Sequence, residues 1–415
     1  MNDRGVPTGA SPRICILCAE LSDNTLARAV LMADLAAPFG QVVIVGPSLT
    51  GDLWAPMKHT HHEVRVWHVE SLLQLGAYMR WVFEARDVYD QFIVCKARPT
   101  SLGVAVACQL PAGKTLLDID EWEVGFVATN GGFREILTYL KHAYRFLDPG
   151  TLNSPWGIHL CDPLIRLFDN RIVSNEQVQA RFGGAVLQHV RDPEWLDPDR
   201  ATDDSLRQEF GLAGRLWVGF VGTIRPHKGV RTLIEALAKL PATHPLGLLL
   251  VGADPHDKHV AEMSQLALRM LGDDRVKIIP PFDWEDLPRY VALPDIIALP
   301  SEKGFASSGQ IPAKLFDAMA MRKPIVASGV NDLPDVLDQC GEVVPPGDPE
   351  AFAQALMRLA QDPERMKALG ANARRKQIER FSYQAGRRTL TRAMGLEQAK
   401  EVSPALEQGL SLPSS

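Results

Sequence analysis

Short apolar runs alternate with helix-type patterns along the first half of the chain. Apolar residues at helical spacing over 25–39 predict a helix that ends at Gly40. Strand, helix, glycine and strand form a βαβ unit, and successive units of this kind build a parallel sheet. The runs of strand length lie at residues 13–19, 41–45, 91–95, 115–118 and 171–174.

The same alternation starts again at residue 216. Helix patterns, including residues 230–240 and 312–321, separate six further runs. Open parallel sheets bind ligands beyond the carboxyl ends of their strands. The sequence therefore predicts an α/β protein with two Rossmann-like, doubly wound parallel-sheet domains that face a central cleft. The six runs lie at residues 216–221, 246–251, 275–279, 296–299, 324–327 and 342–344.

Composition predicts the domain boundaries. Residues 191–198 contain two prolines and several acidic residues without a regular period, which is typical of a linker. We therefore predict an N-terminal Rossmann-like domain over 1–198 and a C-terminal Rossmann-like domain over 199–381. A last helix over 382–394 is predicted to return to the N-terminal domain. The tail, 395–415, is rich in Ser, Pro, Gln and Glu and is predicted to be mostly disordered.

Overall charge and cysteine usage exclude several classes of protein. A formal net charge of −6 argues against nucleic-acid binding, which normally needs a basic excess. The first 12 residues lack the apolar core of a signal peptide, and no run reaches the ~18 apolar residues of a membrane span.

Cys15 and Cys18 would point to opposite faces of a strand, so a redox or metal pair is not predicted. Six scattered cysteines indicate buried thiols in a reducing compartment, and we predict a cytoplasmic protein.

The segment from Gly222 to Gly229 predicts a phosphate site. A buried strand runs into Gly222, a short loop presents Arg225 and Lys228, and Gly229 opens a helix. Two cations beside the start of a helix suit a diphosphate, because backbone N–H groups and the helix dipole add to their charge. The alternative is a solvated basic turn.

A second loop has the same character. The strand at 296–299 is followed by Pro300-Ser301 and a polar loop up to residue 310. A helix is predicted to begin at Ile311-Pro312, where proline suits the first turn. Asp317, one turn further on, could accept hydrogen bonds from ribose hydroxyls. The alternative for Asp317 is a carboxylate that interacts favourably with the helix dipole.

Together the two segments resemble the donor half of the GT-B glycosyltransferases of family 4. The resemblance covers roughly residues 216–390 well and the first half in outline. It implies a GT-B fold and glycosyl transfer from a nucleotide sugar with retention of configuration, without a cofactor or an essential metal. The matching residues are Gly222, Pro226-His227-Lys228-Gly229, Pro300-Ser301, Asp317-Ala318-Met319-Ala320 and Lys323-Pro324-Ile325-Val326-Ala327-Ser328.

The resemblance also implies residue roles. Arg225 and Lys228 would neutralise the donor diphosphate and act in catalysis, and Asp317 would hold the ribose. Pro281 would lie near the base. The full predicted donor set is Gly222, Thr223, Arg225, Lys228, Pro281, Ser308, Gly309, Gln310, Ile311, Pro312, Lys314 and Asp317.

Departures from the family pattern leave an alternative open. Thr223 stands where the family often has Arg, and Gly309 stands where it has the first of two acids. The missing acid at Gly309 and the absence of a histidine near Asp118 support a second hypothesis, a catalytically inactive binding or scaffold protein with the same fold. A third, a nicotinamide-dependent oxidoreductase, is disfavoured because no strand runs into G-x-G-x-x-G.

The acceptor side is predicted from the end of the strand at 115–118. Residues 118–123 hold four acids and a tryptophan, where the family often has a histidine. We predict catalytic roles for Asp118 and Asp120, with an acidic loop that caps the next segment and a D-x-D metal site as the alternatives. The predicted acceptor-binding residues are Asp23, Asn24, Asp120, Glu121 and Trp122.

Two further segments complete the predictions. Residues 133–147 combine an apolar face with a basic face, so a buried-face helix and a weak peripheral membrane contact are both considered. The cluster His59-Thr60-His61-His62 lacks nearby carboxylates in the sequence and is predicted to be a surface loop, so no metal site is predicted. The predicted partners are a nucleotide-sugar donor and a hydroxyl acceptor, which could be a saccharide, a lipid-linked glycan, a protein or a small molecule.

Overall fold

We describe the protein from a computed structural model. The structure describes residues 11–127, 137, 152–153, 155–201, 204–304 and 311–396. Two compact units emerge from the contacts of the described residues. The first comprises the residues up to Ile172 together with those from Arg387 onward, and the second comprises Val173–Gly386.

The first sheet contains seven strands in the order β3-β2-β1-β4-β5-β6-β7. Its neighbours from β3 to β5 pair in parallel, as the βαβ pattern predicted. The strand order reverses between β1 and β4. The strands are β1 (Arg13–Leu17), β2 (Gln41–Ser48), β3 (Glu63–His68), β4 (Gln91–Cys95), β5 (Thr115–Ile119), β6 (Arg171–Val173) and β7 (Ala185–Val186).

The second sheet contains six strands in the order β10-β9-β8-β11-β12-β13, and every neighbouring pair is parallel. This order reverses between β8 and β11, which is the point where doubly wound sheets bind ligands. The strands are β8 (Leu216–Val221), β9 (Leu246–Val251), β10 (Val276–Ile279), β11 (Ile296–Leu299), β12 (Ile325–Ser328) and β13 (Gly341–Val344).

Helices connect the strands. Those before β8 are α1 (Thr25–Ala36), α2 (Leu72–Ala85), α3 (Val104–Ala107), α4 (Glu123–Val127), α5 (Pro155–Cys161), α6 (Glu176–Phe182), α7 (Pro198–Ala201) and α8 (Asp204–Glu209). Those after β8 are α9 (Val230–Ala238), α10 (Lys258–Leu271), α11 (Leu287–Ala292), α12 (Lys314–Ala320), α13 (Leu333–Val336), α14 (Pro349–Ala360), α15 (Pro363–Arg380) and α16 (Tyr383–Met394).

Both faces of the second sheet are buried. Along β8, Val218 and Phe220 join one apolar cluster, while Trp217 and Val221 join the cluster on the other face. Strands covered on both sides are expected to be apolar at nearly every position, and this explains the continuous apolar runs in the sequence. In the described part of the chain, no helix is both long and apolar enough to cross a membrane.

The structure differs from the sequence predictions at two places near the sites. The helix predicted to begin at Ile311-Pro312 begins at Lys314, because the preceding turn bonds Leu315 N to the Pro312 carbonyl, a shorter span than in an α-helix. The predicted linker at 191–198 lies inside the second unit, where Arg191 is buried and Leu196 has no exposed surface. Prolines and acidic residues made this packed segment resemble a linker.

Candidate functional site

The loop that follows β8 is shaped by two glycines with positive φ. Gly222 has φ +100° and Gly229, at the start of α9, has φ +69°. A Cβ on Gly229 would lie 1.8 Å from the Pro300 carbonyl oxygen, so only glycine allows this approach. The approach brings the end of β11 against the loop that presents Arg225 and Lys228.

We therefore expect Gly229→Ala to lower the free energy of unfolding by about 2–4 kcal/mol, because the clash adds to the strain of positive φ. Urea denaturation followed by circular dichroism would measure the change. Gly304→Ala is the matched control, since a Cβ there would meet no atom of the described residues within 4 Å. Equal stability of the two variants would contradict this account of the loop.

Lys314 supplies a buried amino group below the glycine loop. Its Nζ lies 3.5 Å from the centre of the Phe220 ring and 3.7 Å from a Cβ built on Gly222. This Nζ is shielded from solvent and has no hydrogen-bond acceptor among the described residues. Burial and then Lys228 lower the pKa of Lys314 well below 10.5, which Asp317 opposes. An anion placed here would satisfy the nitrogen and restore its charge.

Positive charge surrounds the same loop. Burial, followed by Lys228, Lys314 and Arg225, lowers the pKa of His227 to about 4, so this imidazole is neutral at pH 7. Arg225 is half exposed, and its Nη1 lies 2.8 Å from the Asp257 carboxylate. The structure therefore brings together the three cations that the sequence analysis assigned to donor binding.

Asp317 is held by an arginine that the sequence analysis placed in a linker. Arg191 Nε donates to Asp317 Oδ1 at 2.5 Å, and both side chains are nearly buried. The backbone of Arg191 is itself fixed, because its N–H donates to the Phe381 carbonyl and its carbonyl accepts from Gln377. These partners lie 126 or more residues away in sequence, so no local motif could indicate the contact.

Glu302 is a further residue of this site that was not predicted from the sequence. Its backbone N–H donates to the His227 carbonyl at 3.0 Å, and its carboxylate accepts from Thr232 Oγ1. Glu302 therefore joins the loop after β11 to the loop after β8. Its position directly after Pro300-Ser301, at a strand end, was the signal available in the sequence.

The remaining predicted donor residues fall into three groups. Thr223 and Pro281 are exposed, whereas Ile311 and Pro312 are buried. Next to Pro281, Phe282 stacks on Tyr290 with ring centres 4.1 Å apart, and it reaches to 3.7 Å from a Cβ built on Gly252. The predicted contacts of Ser308, Gly309 and Gln310 lie outside the described residues, as does nearly all of the 133–147 segment.

In the first unit, the four acidic residues at 118–123 belong to a buried ionic network. Arg28 binds both oxygens of Asp118, at 2.9 and 2.7 Å, and Asp118 has no exposed surface. The same guanidinium lies 3.8 Å from Asp120. Arg28 binds both carboxylate oxygens of Asp118, so the Asp118 side chain fixes the end of β5. Asp118 therefore has no exposed surface that a substrate could contact.

Two cations that the sequence analysis missed complete the network. Lys96, which follows β4, pairs with Glu121 and lies 3.5 Å from both Asp120 and Glu123. Arg98 Nε lies 3.0 Å from Glu123. Burial and the neighbouring carboxylates raise the pKa of Glu121, which Lys96 opposes. Lys96 and Arg98 follow the end of a strand, just as Asp118 lies near the end of one. This position was the feature of the sequence that could have indicated their role.

The outer part of this network is more accessible. Arg98 Nη1 lies 3.5 Å from Asp23, whose side chain is 42% exposed. Asp23 also accepts from the Thr25 N–H at 2.8 Å, while Asn24 makes no side-chain capping bond. Trp122 is half-buried beside the network. Among the described residues, five carboxylates face three cations here: Asp23, Asp118, Asp120, Glu121 and Glu123 against Arg28, Lys96 and Arg98.

Comparison with known proteins identifies the family. The family model described as Glycosyl transferases group 1 matches residues 215–362. The chain is 32% identical, over 71% of each sequence, to a D-inositol 3-phosphate glycosyltransferase of Corynebacterium jeikeium. It is 30% identical to the protein of the same name from Corynebacterium kroppenstedtii, over 59% of this chain and 57% of that one. This chain belongs to the group 1 glycosyltransferase family.

Solved structures agree on the fold. The Anabaena protein Alr3699/HepE in complex with UDP-glucose has a TM-score of 0.71 and 19% identity, over 92% of this chain and 99% of that one. The likeness confirms the predicted α/β fold of the GT-B type.

Among the curated relatives matched by sequence, two more are covered over only 50% and 63% of their length.

Proposed function

We propose that this protein transfers a sugar from a nucleotide-diphosphate sugar to an acceptor hydroxyl. One observation carries the proposal. Lys314 holds a buried amino group without an acceptor among the described residues, at the reversal point of the second sheet. A diphosphate supplies the missing acceptor oxygens and the compensating charge. The UDP-glucose complex of the Anabaena protein supports a donor of this class.

The cations provide the catalytic stabilisation in this proposal. As the bond between the anomeric carbon and the diphosphate oxygen breaks, negative charge grows on the leaving phosphate. Lys314, Lys228 and Arg225 are already in place for that charge, and preorganised charge of this kind is a major contribution to catalysis. The same groups perform the task that a divalent metal performs in other transferases, so no essential metal is proposed.

The resemblance to family 4 supports retention of configuration. In that course, the acceptor oxygen bonds to the anomeric carbon on the face that the diphosphate leaves. The electron pair of the breaking bond stays with the leaving phosphate oxygen, and the acceptor proton passes to that phosphate. No side-chain base is required, which fits the complete burial of Asp118.

For the acceptor, we propose Asp23, Asp120, Glu121 and Trp122 as the contacting residues. Carboxylates accept hydrogen bonds from hydroxyl groups, and an indole ring packs against a sugar ring. Because carboxylates outnumber cations among the described residues of this network, an uncharged or amine-bearing polyol fits it better than a phosphate ester. This differs from the inositol phosphate acceptor named for several relatives.

We therefore expect kcat/KM for a neutral polyol acceptor to exceed that for its phosphate ester by at least about tenfold. A like charge about 5 Å away costs roughly 3 kcal/mol at an effective dielectric constant of ~20. Competition between inositol and inositol 3-phosphate, read by mass spectrometry of the products, would measure the preference. A preference for the phosphate ester would contradict the acceptor proposal and leave the donor proposal intact.

Thermal shift with a panel of nucleotide diphosphates tests the donor proposal. A ligand that binds only the folded state stabilises it by RT ln(1 + [L]/Kd), so the melting temperature rises with both affinity and concentration. We expect one nucleotide diphosphate to stabilise the native chain and the corresponding nucleoside to have little effect. Binding without any sugar transfer would favour the inactive scaffold alternative.

A further inference from the structure

Three potential metal ligands meet at the end of α1 in the first unit. Asp34 lies in the last turn of α1, and His61 and His62 lie in the turn before β3. His62 Nε2 is 2.7 Å from Asp34 Oδ1, and His61 Nε2 is 3.7 Å from the same oxygen. The sequence had indicated a histidine cluster without a carboxylate partner. The fold supplies a carboxylate partner, because Asp34, which precedes His62 by 28 residues in the sequence, lies next to it in the structure.

We propose that Asp34, His61 and His62 bind a divalent transition-metal ion, with Zn²⁺ as the best match. The three ligand atoms lie within 4.8 Å of one another. Two imidazole nitrogens and one carboxylate oxygen are a common Zn²⁺ ligand set, with bonds of about 2.0–2.2 Å and water at the fourth position. Tetrahedral ligands at that length stand roughly 3.4 Å apart. The two measured distances, 2.7 and 3.7 Å, bracket this spacing.

The surrounding charge favours a cation at this place. The C-terminal end of a helix carries partial negative charge, so a carboxylate in the last turn is unfavourable there. The last turn of α1 contains no basic residue. Arg387 Nη2 donates to the backbone oxygen of Asp34 at 3.4 Å, so this cation already offsets part of the charge of the helix end. A metal ion held by the Asp34 side chain would offset the carboxylate.

The exposure of His61 makes the site accessible to a metal ion from the solvent. The side chains of His62 and Asp34 are only 6% and 17% exposed, whereas His61 is 79% exposed. Two ligands are thus fixed by packing, and the third closes the site from the solvent side. The ion takes the place of the hydrogen-bonding proton between His62 Nε2 and Asp34 Oδ1, and the imidazole then carries its proton on Nδ1, so the ring stays neutral. Bound metal would join the turn before β3 to α1.

Calorimetric titration of the full chain, without a histidine tag, with Zn²⁺ tests the proposal. We expect one equivalent to bind, and His61→Ala to weaken the affinity at least about tenfold. His61 is largely exposed, so this variant should fold normally. Asp34→Asn should have a similar effect, and Co²⁺ should show the visible absorption of a four-coordinate site.

His59→Ala is the matched control, because His59 is exposed on the same turn and is not one of the three proposed ligands. It should bind Zn²⁺ as the native chain does. A native chain that binds no Zn²⁺ would show that His62 and Asp34 form a hydrogen-bonded pair only, which overturns the proposal. Equal affinities for the native chain, His61→Ala and Asp34→Asn would overturn it as well.

Discussion

Replacing Lys314 with methionine should weaken nucleotide-diphosphate binding at least about thirtyfold and, at the same time, stabilise the free protein. Loss of one partner from a buried charge pair costs about 2–5 kcal/mol of binding. In the free protein, the same ammonium group is buried without an acceptor among the described residues. Its removal should therefore raise the melting temperature by roughly 2–4 °C, which corresponds to about 1 kcal/mol.

The sign of the stability change follows from the pKa of Lys314. Burial and Lys228 lower this pKa well below 10.5 in the folded chain. The unfolded chain therefore holds the proton more firmly, and stability rises with pH from the folded pKa up to about 10.5. Below about pH 10.5 the burial of this amine therefore costs folding free energy, and an uncharged methionine of similar length removes that cost.

Lys323 provides a control with the opposite expectation. Its pKa is lowered to about 8, chiefly by burial, but its Nζ donates to the carbonyls of Ala292 and Pro294. Lys323→Met would leave both carbonyls without their donor and should lower the melting temperature. If Lys314→Met were destabilising to the same extent, the interpretation of Lys314 as an unsatisfied ligand group would fail.

Donor binding should also draw a proton from the solvent. A bound diphosphate favours the charged form of Lys314, so its lowered pKa returns toward the ordinary value. Titration calorimetry in two buffers with different ionisation enthalpies would measure the uptake. The uptake should be absent in Lys314→Met.

Lys228→Ala should lower kcat/KM for the donor by about 10²–10³ while the protein stays folded. This is the range for the loss of one preorganised group that stabilises transition-state charge. Arg225→Ala should have a smaller effect, since Arg225 is half exposed and shares its charge with Asp257. Release of nucleotide diphosphate, followed in a coupled assay, gives the rates.

Arg231→Ala serves as the control for Lys228→Ala. Arg231 lies in the first turn of α9, and its side chain is 60% exposed. It removes the same formal charge from the same region without touching the loop after β8. A similar loss of activity in both variants would show that general surface charge, and not the position of Lys228, governs donor turnover.

Local pattern was sufficient to predict most of the second sheet. The runs at 216–221, 246–251 and 296–299 match β8, β9 and β11, because strands buried on both faces are apolar throughout. The glycine loop was also predictable, since Gly222 and Gly229 both require positive φ. Strand ends at the sheet's reversal point then indicated where the candidate site lies.

Contacts between distant residues were not predictable from one sequence. Arg191 lies 126 residues from Asp317, and Arg28 lies 90 residues from Asp118. The sequence showed four acids after β5 but not the cations that neutralise them. Asp118 was therefore predicted to be catalytic, whereas the fold buries it against Arg28. The helix was predicted to begin at Ile311-Pro312 because proline is favoured in the first turn of a helix. Propensity alone does not distinguish that first turn from the tighter turn that precedes Lys314.

The most direct test of the central claim is product analysis with a panel of nucleotide sugars and neutral polyol acceptors. The native chain should form a glycosylated product and one equivalent of nucleotide diphosphate from at least one donor. Lys228→Ala and Lys314→Met should form far less, and Arg231→Ala should match the native chain. No product from any donor, together with equal nucleotide-diphosphate affinity of the native chain and Lys314→Met, would contradict it.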